Sequence, residues 1–184
     1  MKKKIFLLVA ALAIVFANVV VNACPAGWTS GAGTITYNGC VYVYMYCYGI
    51  SNGYHCITMT DLAVRAPCTP EDFEDNSQAV TDQILLQIGA YLDNQNFFED
   101  SIPPCPGGMC LLNISDNICY NGWYYSKGYY HMKTEECKDG KPRACNETIY
   151  YCFEVINGQK VYRLIRNGFP IGEPCKYPCQ SSCQ

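Results

Sequence analysis

Cysteine offers more chemistry than any other residue type in this chain. The sequence contains 14 cysteines, which can act as disulfide partners, metal ligands or redox thiols. Successive cysteines are never three positions apart, so the Cys-x-x-Cys unit of thioredoxin-like enzymes, paired zinc knuckles and covalent haem sites is absent. We therefore expect a disulfide framework, whose pairing cannot be deduced from spacing. The candidate half-cystines are Cys24, Cys40, Cys47, Cys56, Cys68, Cys105, Cys110, Cys119, Cys137, Cys145, Cys152, Cys175, Cys179 and Cys183.

Two groups of closely spaced cysteines could instead bind a metal, and one His-Cys pair could form a catalytic nucleophile. The cysteines of residues 175–183 repeat every four positions, and those of residues 105–110 flank a Pro-Gly-Gly-Met loop. Only two histidines exist to complete a metal site. Because the cysteine count is even, we assign Cys56 to a disulfide rather than to a thiolate nucleophile activated by His55. We expect no metal and no other cofactor.

Paired carboxylates are the remaining basis for an enzyme. Glycan hydrolysis uses two carboxyl groups about 5–10 Å apart, one of them acting as a general acid. Acidic residues cluster at residues 71–75, 99–100 and 135–136. Such residues also favour helix N-termini and solvated loops. We expect a chain without catalytic residues, and a secreted carboxylate-dependent glycan hydrolase is the alternative.

Tyrosine is the second residue type in excess, with 16 copies. Tyr42, Tyr44, Tyr46 and Tyr48 alternate with apolar residues and therefore share one face of a predicted strand. A row of tyrosines can stack on sugar rings or on a second subunit, because each ring has an apolar body and a polar tip. Tyrosine also simply suits half-exposed strands. A further aromatic run favours an aromatic surface and comprises Tyr120, Trp123, Tyr124, Tyr125, Tyr129 and Tyr130.

The first 23 residues follow the plan of a secretory signal peptide. Lysines at residues 2–4 precede an apolar stretch over residues 5–17, and small residues stand at the end of the segment. Its removal leaves residues 24–184 with ten basic and sixteen acidic side chains, a net charge of −6. This charge disfavours nucleic acid as a partner. Cys24 would be the first mature residue, so a lipoprotein acylated at Cys24 is a minor alternative.

Two Asn-Gly dipeptides predict β-hairpins. Residues 24–60 contain β-prone runs on both sides of Asn38-Gly39, which places Tyr37 opposite Cys40 and Tyr44 opposite Gly33. Residues 110–184 contain a second Asn-Gly hairpin signal at residues 157–158 and end in a cysteine-rich tail. No segment after the signal peptide is apolar enough to predict a membrane span.

The segment between the hairpin regions predicts a helix over residues 69–100. Thr69 is suited to the N-cap, proline and two acids follow it, and apolar residues then recur every four positions from Val80 to Leu92. Gly89 weakens this helix by about 1 kcal/mol relative to alanine. Together, the patterns predict a β-rich α+β fold in which antiparallel hairpins pack on one central amphipathic helix within a single disulfide-stapled domain over residues 24–184.

Several motifs together resemble those of a known group of sequences. They are a lysine-led signal, Cys-Pro-x-Gly-Trp at residues 24–28, an Asn-Gly-Cys hairpin, a central helix and tyrosine-cysteine hairpins. The chain is similar in these respects to uncharacterised secreted, cysteine- and tyrosine-rich proteins of Bacteroidota-like environmental bacteria. The resemblance spans most of residues 24–175 and implies secretion from a bacterium, but no activity.

These observations favour a non-catalytic extracellular structural or binding module, either self-assembling or adhesive at a surface. Its partners would be a second copy of the chain or an extracellular glycan or protein. The mature protein is expected outside the cell, at the cell surface or in the periplasm. Besides the hydrolase, a carbohydrate-binding protein is an alternative. A protease inhibitor that presents the loop at residues 105–110 is a third.

Overall fold

A computed structural model describes residues 24–98, 102–105, 110–116, 119–134, 145–166 and 180–181. The predicted signal peptide and the acidic pairs at residues 99–100 and 135–136 lie outside these residues, as do Cys137 and most of the cysteine-rich tail. The described elements are β1 (Thr29–Tyr37), β2 (Cys40–Ser51), β3 (Tyr54–Arg65), α1 (Pro70–Glu74), α2 (Ser77–Asn94), β4 (Cys110–Asp116), β5 (Cys119–Ser126), β6 (Tyr129–Thr134), β7 (Cys145–Ile156), β8 (Gln159–Arg166) and β9 (Gln180–Ser181).

Tight two-residue turns join the strands of each hairpin. Asn38 and Gly39 both have positive φ, as do the Asn-Gly pairs at residues 52–53 and 157–158, which is the geometry of a type I′ turn. Tyr37 pairs with Cys40 and Tyr44 with Gly33, so the predicted register of the first hairpin is confirmed. The turn at residues 52–53 connects β2 to β3 and carries the same Asn-Gly signal.

The strands form one sheet that divides at β3. One edge of β3 pairs with β2 along its length. The other edge pairs with two strands: residues 55–57 lie parallel to β4, and residues 63–65 lie antiparallel to β6. One branch continues through β7 to β8, and the other continues through β5 to β9. The predicted β-rich fold with antiparallel hairpins is confirmed, but the parallel β3–β4 pair was not foreseen.

The helical region contains two helices instead of the single one predicted. The Thr69 backbone N–H donates to the Asp72 carboxylate at 2.8 Å, which fixes the start of α1. Asn76 then interrupts the helix, with φ −125° and ψ 14°, and its side chain donates to the Asp72 carbonyl at 2.9 Å. This local bond competes with helical pairing, so α1 ends at Glu74 and α2 begins at Ser77. Neither described helix is long and apolar enough to cross a membrane.

The main core contains buried side chains of both α2 and the sheet. The predicted apolar stripe of α2, from Val80 to Leu92, is buried and belongs to the same cluster as Ile57 in β3 and Ile149 in β7. Val155, which lies near the turn at the end of β7, is 66% exposed. Burial of these apolar side chains is the main stabilising contribution to such a fold.

Three disulfide bonds reinforce the described part of the chain. They are Cys24–Cys47, Cys40–Cys68 and Cys105–Cys152. Each typically adds about 2–4 kcal/mol of stability. Their presence indicates an oxidising location, extracellular or periplasmic.

One disulfide candidate proves to be a free thiol. Cys56 is unpaired and buried, which corrects its assignment as half of a bridge. Gly49 of β2 and Asn113 of β4 are the residues beside Cys56. Neither neighbouring strand offers a sulfur at that position. The backbones of Cys110, Cys119 and Cys145 begin β4, β5 and β7, and their pairing stays a prediction.

Candidate functional site

The tyrosine row of β2 faces the interior of the protein. Tyr42, Tyr44 and Tyr46 are 1%, 2% and 4% exposed, and Tyr48 is half-buried. The prediction of a tyrosine platform on these residues is therefore corrected, because three of the four rings are inaccessible to a ligand. Tyr42 lies against Phe73 of α1, with ring centroids 6.2 Å apart. The residues of β2 that alternate with the tyrosines face the other way.

Glycines in β1 provide the space that the tyrosine rings occupy. The ring of Tyr46 occupies the space that a Cβ atom at position 31 would fill. The end of the Tyr44 ring occupies the corresponding space at position 33. Neighbouring rings in the row are about 6 Å apart between centroids, at 6.1 Å for Tyr44 and Tyr46. Burial raises the pKa of Tyr44 to about 12 and that of Tyr46 further. The alternation of glycine in β1 opposite tyrosine in β2 was the signal for this arrangement.

Accessible aromatic residues lie instead on the hairpin of β5 and β6. Tyr124 and Tyr125 are 44% and 60% exposed. The Tyr124 ring stacks on His131 with centroids 5.1 Å apart and planes at 16°, while Tyr125 lies 4.9 Å from Tyr130. Each of these is a cross-strand pair in the observed register. We call the hairpin over residues 123–132 the aromatic hairpin. Cross-strand aromatic pairs of this kind stabilise a hairpin and hold its rings in place.

One face of the aromatic hairpin is anchored to α1. The Trp123 ring meets Phe73 edge-on at 5.6 Å, and its indole N–H donates to the Glu74 carboxylate at 3.3 Å. Met132, on the same face, is buried. This packing fixes the hairpin, so the exposed rings project from a supported strand pair and not from a loose loop.

The opposite face of the hairpin combines an aromatic ring with a carboxylate. The His131 Nδ1 atom lies 3.9 Å from the Asp61 carboxylate, too far for a hydrogen bond, and it has no partner. Both side chains are nearly buried, at 9% and 13% exposed, whereas the adjacent Tyr124 is open. Burial, together with the negative charge of Asp61, raises the pKa of Tyr124. The arrangement offers a flat apolar ring next to hydrogen-bonding groups.

The acidic cluster near residue 71 has structural partners. Asp72 caps α1 through the Thr69 N–H, and Glu74 accepts the indole hydrogen bond of Trp123. Glu71 is fully exposed, and a hydrogen bond from Thr69 lowers its pKa. A lowered pKa is the reverse of what a general acid requires. These carboxylates therefore behave as residues of a helix N-terminus.

The remaining clusters of ligand-type atoms have structural roles as well. The sulfurs of Cys40 and Cys68 lie within 4.8 Å of an Asp72 oxygen, but those sulfurs are bonded to each other. A disulfide cannot supply thiolate ligands, so this group does not fit a metal. His55 and Cys56 are neighbours on a strand and point to opposite faces. The His55 ring packs on Phe97 at 4.9 Å, away from the thiol.

A buried carboxylate at the end of α2 was missed from the sequence. Asp93 accepts hydrogen bonds from the Tyr162 hydroxyl at 2.7 Å and from the Ile102 N–H at 3.0 Å, and Lys160 lies 3.4 Å away. Burial alone would raise its pKa, but these donors together outweigh burial and lower it. The available signal was an acid in the last helical turn, where the helix dipole disfavours negative charge.

The structure thus gives two sets of polar and aromatic residues with different roles. The Asp93 cluster joins α2 to β8 and holds the fold together, and the aromatic hairpin offers accessible rings. No protein-family model, curated protein or solved structure matches the chain.

Proposed function

We propose that this protein is a non-catalytic extracellular binding module whose aromatic hairpin holds a glycan. The single observation that carries the proposal is the placement of Tyr124, which is exposed and stacked on His131, whose Nδ1 atom lies 3.9 Å from the Asp61 carboxylate. Sugar rings present both C–H faces and hydroxyl groups. A tyrosine ring beside a hydrogen-bond acceptor suits both features.

Preorganisation supports a binding role for this hairpin. Stacking on His131 and the anchoring of Trp123 to Glu74 limit the rotation and displacement of the surface before a ligand arrives. Rigid aromatic side chains lose little conformational entropy on binding, which favours affinity. The same contacts make the hairpin a poor candidate for an induced-fit catalytic loop.

Secretion is part of the proposal. Three disulfides, the signal-like residues 1–23 and the use of the Cys24 sulfur in a bridge to Cys47 all support a mature chain that begins at Cys24 without a lipid. We also propose that both hairpin regions pack on α2 as one domain. The hydrogen bond from the Tyr151 hydroxyl to the Leu85 carbonyl at 2.6 Å supports this packing.

A non-catalytic role is favoured over glycan hydrolysis by the state of the acidic residues. Hydrolysis requires one carboxyl with a raised pKa near a second carboxylate. The pKa values of Glu71 and Asp93 are both lowered, the reverse of what a general acid requires. Each has a local hydrogen-bonding partner that explains the shift.

Binding to insoluble polysaccharides would test the proposal. The oxidised secreted protein is incubated with cellulose, chitin, xylan and peptidoglycan, and the bound fraction is measured as an isotherm. Loss of a central aromatic contact typically costs at least about 2 kcal/mol, so Tyr124→Ala should weaken binding by roughly 30-fold. Tyr91→Ala is the matched control, because Tyr91 is 48% exposed on α2, away from the hairpin.

Three results would contradict the proposal. They are unchanged affinity of Tyr124→Ala, an equal loss in Tyr91→Ala, and the absence of binding to every glycan tested. Release of reducing sugars from a bound polysaccharide would favour the hydrolase instead.

A further inference from the structure

Strand β1 forms one edge of the sheet and lacks the features that usually protect such an edge. Among the described residues, β1 pairs with β2 alone. Its nine residues, Thr-Ser-Gly-Ala-Gly-Thr-Ile-Thr-Tyr, include no charged residue and no proline, and their register with β2 is unbroken by a bulge. Natural proteins usually block open edges with lysine, proline or bulges, because unpaired N–H and C=O groups bind other strands.

The edge strand β8 shows the contrast within the same molecule. It carries Lys160, Arg163 and Arg166 within eight residues. Arg163 is exposed and pairs with Glu154 at 2.7 Å, which keeps a charge at that edge. Like charges on two approaching copies would repel, so β8 is protected against strand addition. The protection of one edge and not the other suggests that β1 has a partner.

The turn at Asn38-Gly39 determines which backbone groups of β1 are free to pair. In a two-residue hairpin the residues that flank the turn, here Tyr37 and Cys40, exchange hydrogen bonds with each other. The odd-numbered residues of β1 therefore bond to β2, and the even-numbered residues direct their N–H and C=O groups outward. The outward set consists of Ser30, Ala32, Thr34 and Thr36.

These outward-directed residues are accessible. Ser30, Ala32 and Thr36 are exposed, and Thr34 is half-buried. Over nine residues the free edge is about 30 Å long, at ~3.4 Å per residue. That length is sufficient for a continuous run of backbone hydrogen bonds with an added strand.

We propose that β1 pairs antiparallel with β1 of a second copy of this chain. Pairing about Gly33 is the register that overlaps all nine residues, and it matches outward-directed residues with each other, so that Ala32 meets Thr34 of the second copy. It also sets Gly31 beside Ile35 of the second copy, a small residue against a large one. The strand is thus complementary to itself in hydrogen bonding, in size and in its lack of charge.

The pairing makes one continuous sheet from two protomers and gives each assembly two aromatic hairpins. Two linked sites raise avidity for a repetitive ligand. The dimer does not depend on the proposed glycan function, because β1 and the aromatic hairpin occupy different strands. A dimer that binds no glycan would leave this inference intact, and a monomer that binds glycan would overturn only this inference.

Sedimentation equilibrium of the oxidised protein, from micromolar to millimolar concentration, tests the dimer. We expect a monomer–dimer equilibrium that salt does not weaken. Ala32→Pro removes an outward-directed N–H group, and Thr36→Lys adds a charge at the edge. Neither substitution removes a backbone hydrogen bond to β2. Each should weaken dimerisation at least tenfold, while Val155→Lys, an equivalent charge on the exposed Val155, should leave it unchanged.

Hydrogen exchange of the unmodified protein provides a second measurement that does not depend on how the variants fold. The amides of Ser30, Ala32, Thr34 and Thr36 should exchange at least tenfold more slowly at high concentration than at low concentration, while those of Ile35 and Gly33 should not respond. A monomer at every concentration, an open-ended polymer, or a dimer that both β1 variants leave intact would overturn the inference. An equal change in the exchange rates of odd and even amides with concentration would do the same.

Discussion

The ring of Tyr151 in β7 occupies the space beside Gly89 in α2 where any other residue would place its side chain. A Cβ at Gly89 would lie 2.6 Å from the Cε1 atom of Tyr151, closer than carbon atoms approach without displacement. The hydroxyl of the same ring donates to the carbonyl of Leu85 at 2.6 Å, one turn earlier in α2. A glycine that weakens the isolated helix is therefore required by the contact between helix and sheet.

The first prediction concerns this contact. Gly89→Ala should destabilise the protein, because overpacking costs about 1–3 kcal/mol and the gain in helix propensity is only about 1 kcal/mol. In a Tyr151→Leu background the clash is gone, so the same substitution should be stabilising. Urea unfolding of the four proteins measures the reversal of sign. A stabilising effect of Gly89→Ala in the unmodified protein would show that Tyr151 does not restrict this position.

Local sequence signals predicted much of the fold, and contacts distant in sequence account for the rest. The Asn-Gly turns and the alternation of residues defined the hairpins and their register, since both depend on neighbouring residues alone. The helical stripe from Val80 to Leu92 was defined in the same way. The parallel β3–β4 pair and the division of the sheet depend on long connections, which leave no periodic pattern. The interruption at Asn76 depends on one side-chain bond to Asp72.

The second prediction concerns which tyrosines are accessible. Nitration requires an accessible ring and a partly ionised phenol, so Tyr54 and Tyr125 should react in the folded protein, while Tyr42, Tyr44 and Tyr46 should be spared. Unfolding in guanidinium should remove the difference. Peptide mass spectrometry reads both states. Nitration of Tyr44 at the rate of Tyr54 in the folded protein would contradict the buried row.

The same burial predicts loss of stability at alkaline pH. The pKa of Tyr44 rises from an unfolded value near 10 to about 12 in the fold. Because its pKa is higher in the folded state, the protonated Tyr44 contributes its full stabilisation below about pH 10. This contribution is lost as the pH rises through 12. Far-ultraviolet circular dichroism over this range should show unfolding, and Tyr44→Phe should shift the midpoint upward.

The candidate site was only half predictable from the sequence. Alternation along the strand predicted that Tyr42, Tyr44, Tyr46 and Tyr48 share one face. It does not indicate which of the two faces of the strand is covered by the core. The deciding signals were Gly31 and Gly33, which the register sets opposite Tyr46 and Tyr44. Residues without side chains leave room for rings from the adjacent strand. The pairing of Tyr124 with His131 could have been predicted from the sequence, because the turn at residues 127–128 defines the register of this hairpin.

The fourth prediction concerns the pH dependence contributed by Asp93. Its folded pKa is lowered, so the stabilisation is present above the unfolded value near 3.9 and is lost as the pH falls through the folded value. Tyr162→Phe removes one donor to the carboxylate, so it should cost about 1–2 kcal/mol near neutral pH and shift the loss in acid to higher pH. Urea unfolding between pH 2 and 7 measures both, and a parallel offset at every pH would contradict the assignment.

The fifth prediction concerns the thiol of Cys56. Its side chain is buried and donates weakly to the Tyr54 carbonyl at 3.4 Å, and burial raises its pKa, so the reactive thiolate is scarce at pH 8. Iodoacetamide should therefore leave Cys56 unmodified in the folded protein and alkylate it fully in urea without reductant. Peptide mapping should recover Cys24–Cys47, Cys40–Cys68 and Cys105–Cys152 as linked pairs. Recovery of Cys56 in any disulfide would contradict its assignment as a free, buried thiol.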